Sequence, residues 1–364
     1  MKIMTILGTR PEIIRLSRII ARLDVSVEHV LVHTGQNFDR RLSDIFFEAL
    51  GVRPPDHLLE VGACPFGEQA GRILSGVEQV IEREHPDRVL ILGDTNSALA
   101  AIVAKRRGIP VFHMEAGNRC HDDRVPEEVN RRIVDHCSDV LLPYTERSRD
   151  NLLAEGIPAR RIFVTGNPIA EVIEHHREAI ATSGILETLG LRPGGYFLVT
   201  LHRAENVDLA PRRRALLEGL VGLAEAFGRP VILSTHPRLR AQLDSSEVAL
   251  SDRLMFHSPF GFFDFLKLQR EAYCVLSDSG TVQEECTLLK VPSVTLRDVT
   301  ERPETLECGA NMLAGADAAT LMRAVRLVTS SPSQWAVPAE YQRLDVSETV
   351  VRLLTAYHHR LGGA

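Results

Sequence analysis

Several familiar signatures are missing from this sequence, and each absence removes a class of protein. There is no G-x-G-x-x-G and no G-x-x-x-x-G-K-[ST], which disfavours a dinucleotide-dependent oxidoreductase and a P-loop ATPase. No H-E-x-x-H is present, and the adjacent His175 and His176 are read as helical neighbours that point apart, so no metal site is expected. The six cysteines (64, 120, 137, 274, 286 and 308) form no C-x-x-C and no tight cluster. Neither a zinc knuckle nor a disulfide framework is indicated, and buried reduced thiols of a cytoplasmic protein account for them. Long apolar runs are lacking too. The longest, residues 98–104, falls far short of the roughly 20 residues that span a bilayer. The apolar stretch at residues 3–7 is too short for a signal peptide. Neither sign of charge dominates: 42 basic residues stand against 48 acidic ones. The net charge of −6 argues against a nucleic-acid partner. What remains is a chain of 364 residues, 44% hydrophobic and 25% charged. At roughly 150 residues per domain, that length suggests two domains.

The pattern along the chain is strand, polar loop, helix, repeated. MKIMTIL reads as a strand, and Gly8-Thr9-Arg10-Pro11 turns into a helix with Ile13, Leu16, Ile20 and Leu23 on one face. HVLVHTG, RVLILGD, PVFHMEA, DVLLPYT and RIFVTG read as further strands. The helix begun by Pro126 is expected to bury Val129, Ile133, Val134 and Cys137. The pattern restarts after Asn167-Pro168 with YFLVTLH, PVILSTH, LMFHSP, YCVLSD and PSVTLR. Strands alternating with helices predict an α/β fold with doubly wound parallel sheets. The expected organisation is one domain over residues 1–168 and a second over 169–345. A C-terminal helix within residues 346–364 completes it.

In open parallel sheets, ligands bind beyond the carboxyl ends of the strands. Arg10, Asp94, His113, Glu115, His202, His236, Ser279, Gly280 and Arg297 all stand at such ends, more polar groups than folding requires. Asp278-Ser279-Gly280 is read as a strand, a turn and a helix start. Its free backbone N–H groups and the helix dipole suit a phosphate, Gly280 admits close approach, and Ser279 is placed to cap the helix. Either Glu284 or Glu285 is placed to accept hydrogen bonds from ribose hydroxyls. Glu127 lies at a helix mouth, and with Asp94 and Glu115 it would put three carboxylates together. Crowding raises some carboxyl pKa values, as proton abstraction from carbon and leaving-group protonation require. His202 and His236 would bring proton-transfer or phosphate-neutralising groups.

These residues fall in blocks that closely resemble the bacterial non-hydrolysing UDP-N-acetylglucosamine 2-epimerases. The blocks are Gly8-Thr9-Arg10-Pro11-Glu12, His33-Thr34-Gly35-Gln36, Gly93-Asp94-Thr95, Glu115-Ala116-Gly117, Pro126-Glu127-Glu128-Val129-Asn130-Arg131 and Thr165-Gly166-Asn167-Pro168. They continue through His202-Arg203, Glu205-Asn206, His236-Pro237, Asp278-Ser279-Gly280, Gln283-Glu284-Glu285 and residues 297–304, in the family's order. The resemblance implies a fold like the GT-B glycosyltransferases, with two Rossmann-like domains around a central cleft and the last helix crossing back to the first. It implies loss of UDP by anti-elimination to a 2-acetamidoglucal and re-addition of UDP, with no cofactor. Asp94, Glu115, Glu127 and His202 match the catalytic group. Arg10, Arg15, Arg131, His236, Phe265, Ser279, Gly280, Glu285 and Arg297 match substrate-binding positions, with Phe265 beside the uracil and Glu285 at the ribose. The implied reaction converts UDP-N-acetylglucosamine to UDP-N-acetylmannosamine for cell-surface polysaccharides such as capsule or O-antigen. The implied protein is a cytoplasmic homodimer with a UDP-sugar substrate and neither a membrane nor a nucleic-acid partner.

Departures from the family pattern are local. Position 15 is Arg where Lys is common, which keeps the charge but changes the geometry. His202-Arg203-Ala204 lacks the usual doubled arginine, Asn37-Phe38-Asp39 departs from the glutamine-containing pattern, and Thr281 replaces a second Gly. Residues 113–139 resemble the branch acting on UDP-N-acetyl-6-deoxy-L-hexosamines, which forms UDP-L-FucNAc. Asn118 and residues 122–124 differ from the mainstream loop there. The alternatives at this stage are therefore C2 epimerisation of the 6-deoxy-L sugar, a hydrolysing epimerase, a GT-B glycosyltransferase and a UDP-sugar-binding regulator.

Overall fold

The computed structural model describes residues 1–36, 40–235, 237–243, 252–330 and 334–356. The expected residues 37–39, His236 and the end of the C-terminal helix lie outside the described residues. The chain packs as two compact units: Met1–His175 together with the segment from Ala339 onward, and His176–Pro338.

Among the described residues, the first unit is built on β1 (Lys2–Leu7), β2 (Glu28–His33), β3 (His57–Leu58), β4 (Arg88–Leu92), β5 (Val111–Met114) and β6 (Val140–Leu142), in the spatial order β3-β2-β1-β4-β5-β6. All neighbours pair in parallel. The second unit repeats that order. Its strands are β7 (Phe197–Leu201), β8 (Val231–Thr235), β9 (Leu254–His257), β10 (Cys274–Ser277), β11 (Ser293–Thr295) and β12 (Asn311–Leu313), arranged β12-β11-β10-β7-β8-β9, again all parallel. Each unit is thus a Rossmann-like sheet. Its chain direction reverses across one central pair, β1 with β4 in the first and β7 with β10 in the second, and such a switch point is where open α/β sheets bind ligands.

Helices on both faces explain why β4 reads RVLIL and is buried throughout. In the second unit the two-residue alternation is visible in the packing. Phe197, Val199 and Leu201 meet Leu216, Leu217 and Leu220 of the helix Ala210–Phe227. Leu198 points the other way, into a cluster with Tyr196, Ile232, Leu268 and Cys286. The first helix, Arg10–Ser26, buries the predicted stripe of Ile13, Leu16, Ile20 and Leu23. The last helix, Val346–Ala356, belongs to the first unit: Arg22 Nε donates to Ser347 Oγ at 2.7 Å, the Ser347 amide donates to Glu171 at 2.8 Å, and Arg88 donates to the Leu354 carbonyl. All six cysteines are free thiols. No helix among the described residues is long and apolar enough to cross a membrane.

Three sequence expectations need correction. RIFVTG is not a strand: a short 3-10 turn at Ala159–Arg161 leads to a single parallel bridge between Ile162 and Leu141. The helix Pro126–Cys137 buries only part of its expected stripe: Val134 joins the apolar core and Cys137 packs against it. Its buried residues are Glu128, Asn130, Arg131, Val134 and Asp135, while Val129 is 46% and Ile133 37% exposed. The inward face meets polar turns at the ends of β4 and β5, and hydrogen bonds and ion pairs satisfy its polar groups there. Finally, the helix expected through the two histidines ends at His175, and a new one starts at Arg177.

Candidate functional site

The first unit gathers charge beyond the ends of β1, β4 and β5. Asp94 follows β4, and its carboxylate accepts from Arg131 Nε and Nη2, each at 2.7 Å. Arg131 also donates from Nη1 to the fully buried Glu128 at 2.7 Å. Burial pushes the Glu128 carboxyl up, but the Cys120 and His121 amides and Arg131 outweigh it, and the net direction is down. The same helix sends Asn130 Nδ2 to the Asp94 carbonyl at 2.9 Å. Glu127 stands three and four residues before Asn130 and Arg131, so it shares the helix face that meets Asp94. Glu127 itself is half-buried.

Glu115 follows β5 with a left-handed backbone, φ 63°. Only a few per cent of non-glycine residues adopt this conformation, and it often marks a functional position. Its Oε2 accepts from Arg15 Nη1 at 2.5 Å, and its Oε1 accepts from Asn118 Nδ2 at 3.2 Å. Both members of the Arg15–Glu115 pair are buried. A methyl group on Gly93 would lie 4.0 Å from Glu115 Oε2, which places that carboxylate beside the Gly93-Asp94 turn. Arg10 opens the first helix with its guanidinium 5.7 Å from the centre of the Phe46 ring. The structure therefore brings Asp94, Arg131, Glu115 and Arg15 together, with Glu127 on the helix that supports them.

Glu12 is a participant to which the sequence reading gave no role. It is buried, accepts from the Gly8 and Thr9 amides, and takes the Thr95 hydroxyl at 2.6 Å. It thereby ties the turn carrying Arg10 to the turn carrying Asp94. Burial pushes its carboxyl up to about 7 against those donors, with Asp94 adding to the rise. The signal was present as Thr9-x-x-Glu12, the spacing of a capping box.

In the second unit, His202 follows β7 and Asp278 follows β10, at that sheet's switch point. His202 Nδ1 lies 2.7 Å from Asp278 Oδ1. Asp278 is fully buried and also accepts from the His202 amide, the Arg203 amide and Asn206 Nδ2. Burial pushes its carboxyl up, but His202 and these donors outweigh it, so it stays ionised well below the usual carboxylate range. The pair fixes Nδ1 of the ring and leaves Nε2 to face outward chemistry.

Ser279 stands before the helix Gly280–Leu289, but its hydroxyl pairs with the Thr281 hydroxyl at 3.0 Å and does not cap a backbone amide. Thr281, the departure from the family pattern, supplies that competing partner. A methyl at Gly280 would sit 2.5 Å from Glu301 Oε1 and would have to displace that carboxylate. Glu301 accepts from Arg297 Nη1 at 2.8 Å. Arg297 is 1% exposed, and its Nε and Nη2 have no hydrogen-bond partner among the described residues. A buried guanidinium with two open donors beside a helix start is suited to an anion. Of the two candidate ribose acceptors, Glu284 is fully buried and held by Arg302. Glu285 takes Gln269 Nε2 at 2.6 Å. Gln269 is one helical turn beyond Phe265, so the Phe265 helix and Glu285 are neighbours. His236 lies outside the described residues. No group of three or more metal-binding side chains occurs among the described residues.

Two parallel sheets of this order, with carboxylates at the strand ends of one and an anion-suited turn on the other, place the chain in the GT-B-like fold class. A model of the UDP-N-acetylglucosamine 2-epimerase family matches residues 21–355. The chain is 41% identical to the UDP-N-acetylglucosamine 2-epimerase of Methanocaldococcus jannaschii, over 98% of this chain and 99% of that one. It is 38% identical to a UDP-2,3-diacetamido-2,3-dideoxy-D-glucuronate 2-epimerase of Pseudomonas aeruginosa, over 87% and 89% of the two chains. A crystal structure of the M. jannaschii enzyme in complex with UDP-GlcNAc and UDP superimposes with a TM-score of 0.93 at 39% identity, covering 98% of this chain and 99% of that one. The chain belongs to the UDP-N-acetylglucosamine 2-epimerase family and is an isomerase.

Proposed function

We propose that this protein inverts C2 of a UDP-N-acetylhexosamine, with UDP-N-acetylglucosamine and UDP-N-acetylmannosamine as the interconverting pair. A base takes the C2 proton, and the C2–H electrons become the C1=C2 bond of a 2-acetamidoglucal. The C1–O bond breaks, and its electron pair leaves with UDP. A proton then returns to the opposite face of C2 as UDP re-adds at C1. No electrons are gained or lost overall, so the cycle consumes no redox cofactor.

The observation that carries this reading is the pair of carboxylates at neighbouring strand ends. Asp94 and Glu115 are each held by a different arginine, Arg131 and Arg15. Two carboxylates at adjacent strand ends can serve a cycle that both removes and delivers protons. In this reading Asp94, Glu115 and Glu127 handle protons. His202, oriented by Asp278, serves the departing and returning UDP. Arg297, Ser279, Gly280 and Glu285 hold the nucleotide, with Phe265 at the base and Arg10 beside the diphosphate. Support also comes from the M. jannaschii relative solved with UDP-GlcNAc and UDP.

A second reading keeps the chemistry and changes the sugar. The P. aeruginosa relative acts on a differently substituted UDP-hexosamine at comparable identity. The loop before Glu127 departs from the family pattern at Asn118, whose amide reaches Glu115. Proton NMR in D2O tests both readings. With UDP-N-acetylglucosamine, UDP-N-acetylmannosamine should appear with deuterium at C2. Free N-acetylmannosamine and UDP would instead identify a hydrolase. No reaction with this sugar but turnover of a UDP-N-acetyl-6-deoxy-L-hexosamine or a diacetamido uronate would select the second reading.

A further inference from the structure

His113 stands two residues before Glu115 on β5, and the chemistry above gives it no part. It is 1% exposed. Its Nδ1 lies 2.8 Å from Asp135 Oδ1, and its Nε2 lies 2.9 Å from the carbonyl oxygen of Gly93. Asp135 is fully buried in the last turn of the helix Pro126–Cys137. Its Oδ2 accepts from the Gly117 amide at 3.1 Å and from Arg119 Nη2 at 2.8 Å. Arg119 in turn donates to both oxygens of Glu155, at 2.8 and 2.6 Å, and to the Asn118 carbonyl at 2.8 Å.

Both partners of the ring are acceptors. A carbonyl oxygen only accepts. Asp135 only accepts as well: burial pushes its carboxyl up, but His113 and Arg119 outweigh that and keep it ionised. Both ring nitrogens of His113 therefore face acceptors. A protonated ring closes the charges, with His113 and Arg119 against Asp135 and Glu155. A neutral ring would set a lone pair against one of two buried acceptors and leave a buried hydrogen bond unmade.

The attachment points give this cluster its meaning. Gly93 immediately precedes Asp94, and Gly117 follows Glu115 by two residues. Gly93 and Gly117 have φ of 77° and 78°, and Glu115 has 63°. The two glycines adopt such a backbone freely, but a non-glycine residue such as Glu115 persists there only where its surroundings over-determine it. We propose that His113, Asp135 and Arg119 form a buried ionic clamp that positions the Asp94 and Glu115 carboxylates, with His113 working as an imidazolium that donates at both ring nitrogens. The clamp rests on the reading of Asp94 and Glu115 as the proton-handling acids. His113 and Asp135 are positioning residues and touch no substrate.

Two measurements on the full-length enzyme test it. The first is 15N NMR of histidine-labelled protein, with His113 assigned by its loss in His113→Gln. Two protonated ring nitrogens near neutral pH are expected, and one unprotonated nitrogen overturns the proposal whatever the enzyme's substrate. The second is kinetic. Asp135→Asn preserves shape and acceptor oxygen but removes the charge, and lets the ring accept at Nδ1. A displacement of about 1 Å at reacting groups costs on the order of 10²-fold. The expected result is a fall in kcat of about 10- to 100-fold in each single variant, with KM changed less than about twofold. Because the residues act as one unit, the double variant should lose no more than the worse single one. Unchanged kcat in Asp135→Asn, or strictly additive losses, overturns the clamp. If His113→Gln fails to fold, Asp135→Asn carries the kinetic test, and its spectrum, with one nitrogen newly unprotonated, supplies the assignment. Full turnover in Asp94→Asn would instead strike the reading of the acids and leave the NMR result standing.

Discussion

Gly117→Ala separates two costs that are usually measured together. Gly117 has φ 78°, and a methyl group there would stand 2.1 Å from the Ser148 carbonyl oxygen and 2.8 Å from Leu152 Cγ. Gly108 has nearly the same φ, 74°, but a methyl there meets nothing within 4 Å. Both lie in the first unit. A left-handed backbone costs an alanine about 1–2 kcal/mol. The gain from a stiffer unfolded chain, about 0.4–1 kcal/mol, applies equally to both variants. Gly108→Ala should therefore cost about 0–1.6 kcal/mol. Gly117→Ala must in addition push the helix Glu146–Ala154 away through its backbone, and overpacking of this kind costs about 1–3 kcal/mol more. The assay is urea unfolding followed by far-UV circular dichroism, with both variants against the parent. Turnover should follow the same division, since Gly117 donates to Asp135 and sits two residues from Glu115, whereas Gly108 touches neither. Equal destabilisation within about 0.5 kcal/mol would refute the steric argument. Full turnover in a destabilised Gly117→Ala would refute the claim that this turn aims Glu115.

Two shorter predictions concern charge. The Glu12 carboxyl is raised from 4.5 to about 7 by burial, so between those values the folded chain keeps a proton that the unfolded chain has released. Stability from this group is present below about pH 4.5 and is lost as pH rises to about 7, by about 3 kcal/mol in all. Glu12→Gln should remove that loss: its urea midpoint should exceed the parent's at pH 8 and approach it at pH 5, and parallel curves at both would disprove the assignment. Arg297→Lys keeps the charge but loses the forked donors. At about 1.5–3 kcal/mol for charge-assisted hydrogen bonds, UDP should bind about 10- to 100-fold more weakly by calorimetry, and unchanged affinity would remove Arg297 from the nucleotide site.

The sequence disclosed the architecture well because each sheet is buried on both faces. Continuous apolar strands such as RVLIL and the spacing of Ile13, Leu16, Ile20 and Leu23 have few other readings. Edge strands β3 and β12 escaped notice because two or three residues carry no period. The helix Pro126–Cys137 misled for a deeper reason. Apolar periodicity predicts the buried face only when a helix packs on an apolar surface, and this one packs on turns full of peptide groups and charges. Its inward residues therefore include Glu128, Asn130, Arg131 and Asp135 beside Val134. The chemistry of the candidate site was visible as residue types at strand ends. Which carboxylate pairs with which arginine was not, because Arg15 and Glu115 are 100 residues apart. His113 looked like one more strand-end polar group, and only its two acceptors distinguish it.

The segment from Ala339 onward packs with the first unit, while the second unit is one unbroken stretch, His176–Pro338. During synthesis the two therefore finish in reverse order of their beginnings. The later unit has all its parts once Pro338 has left the ribosome. The earlier unit must wait with the surface under Arg22, Arg88 and Glu171 uncovered until Val346–Ala356 arrives. A chain stopped short of that helix would leave its oldest part unfinished and its newest part intact, and a chaperone would find its client at the amino-terminal end.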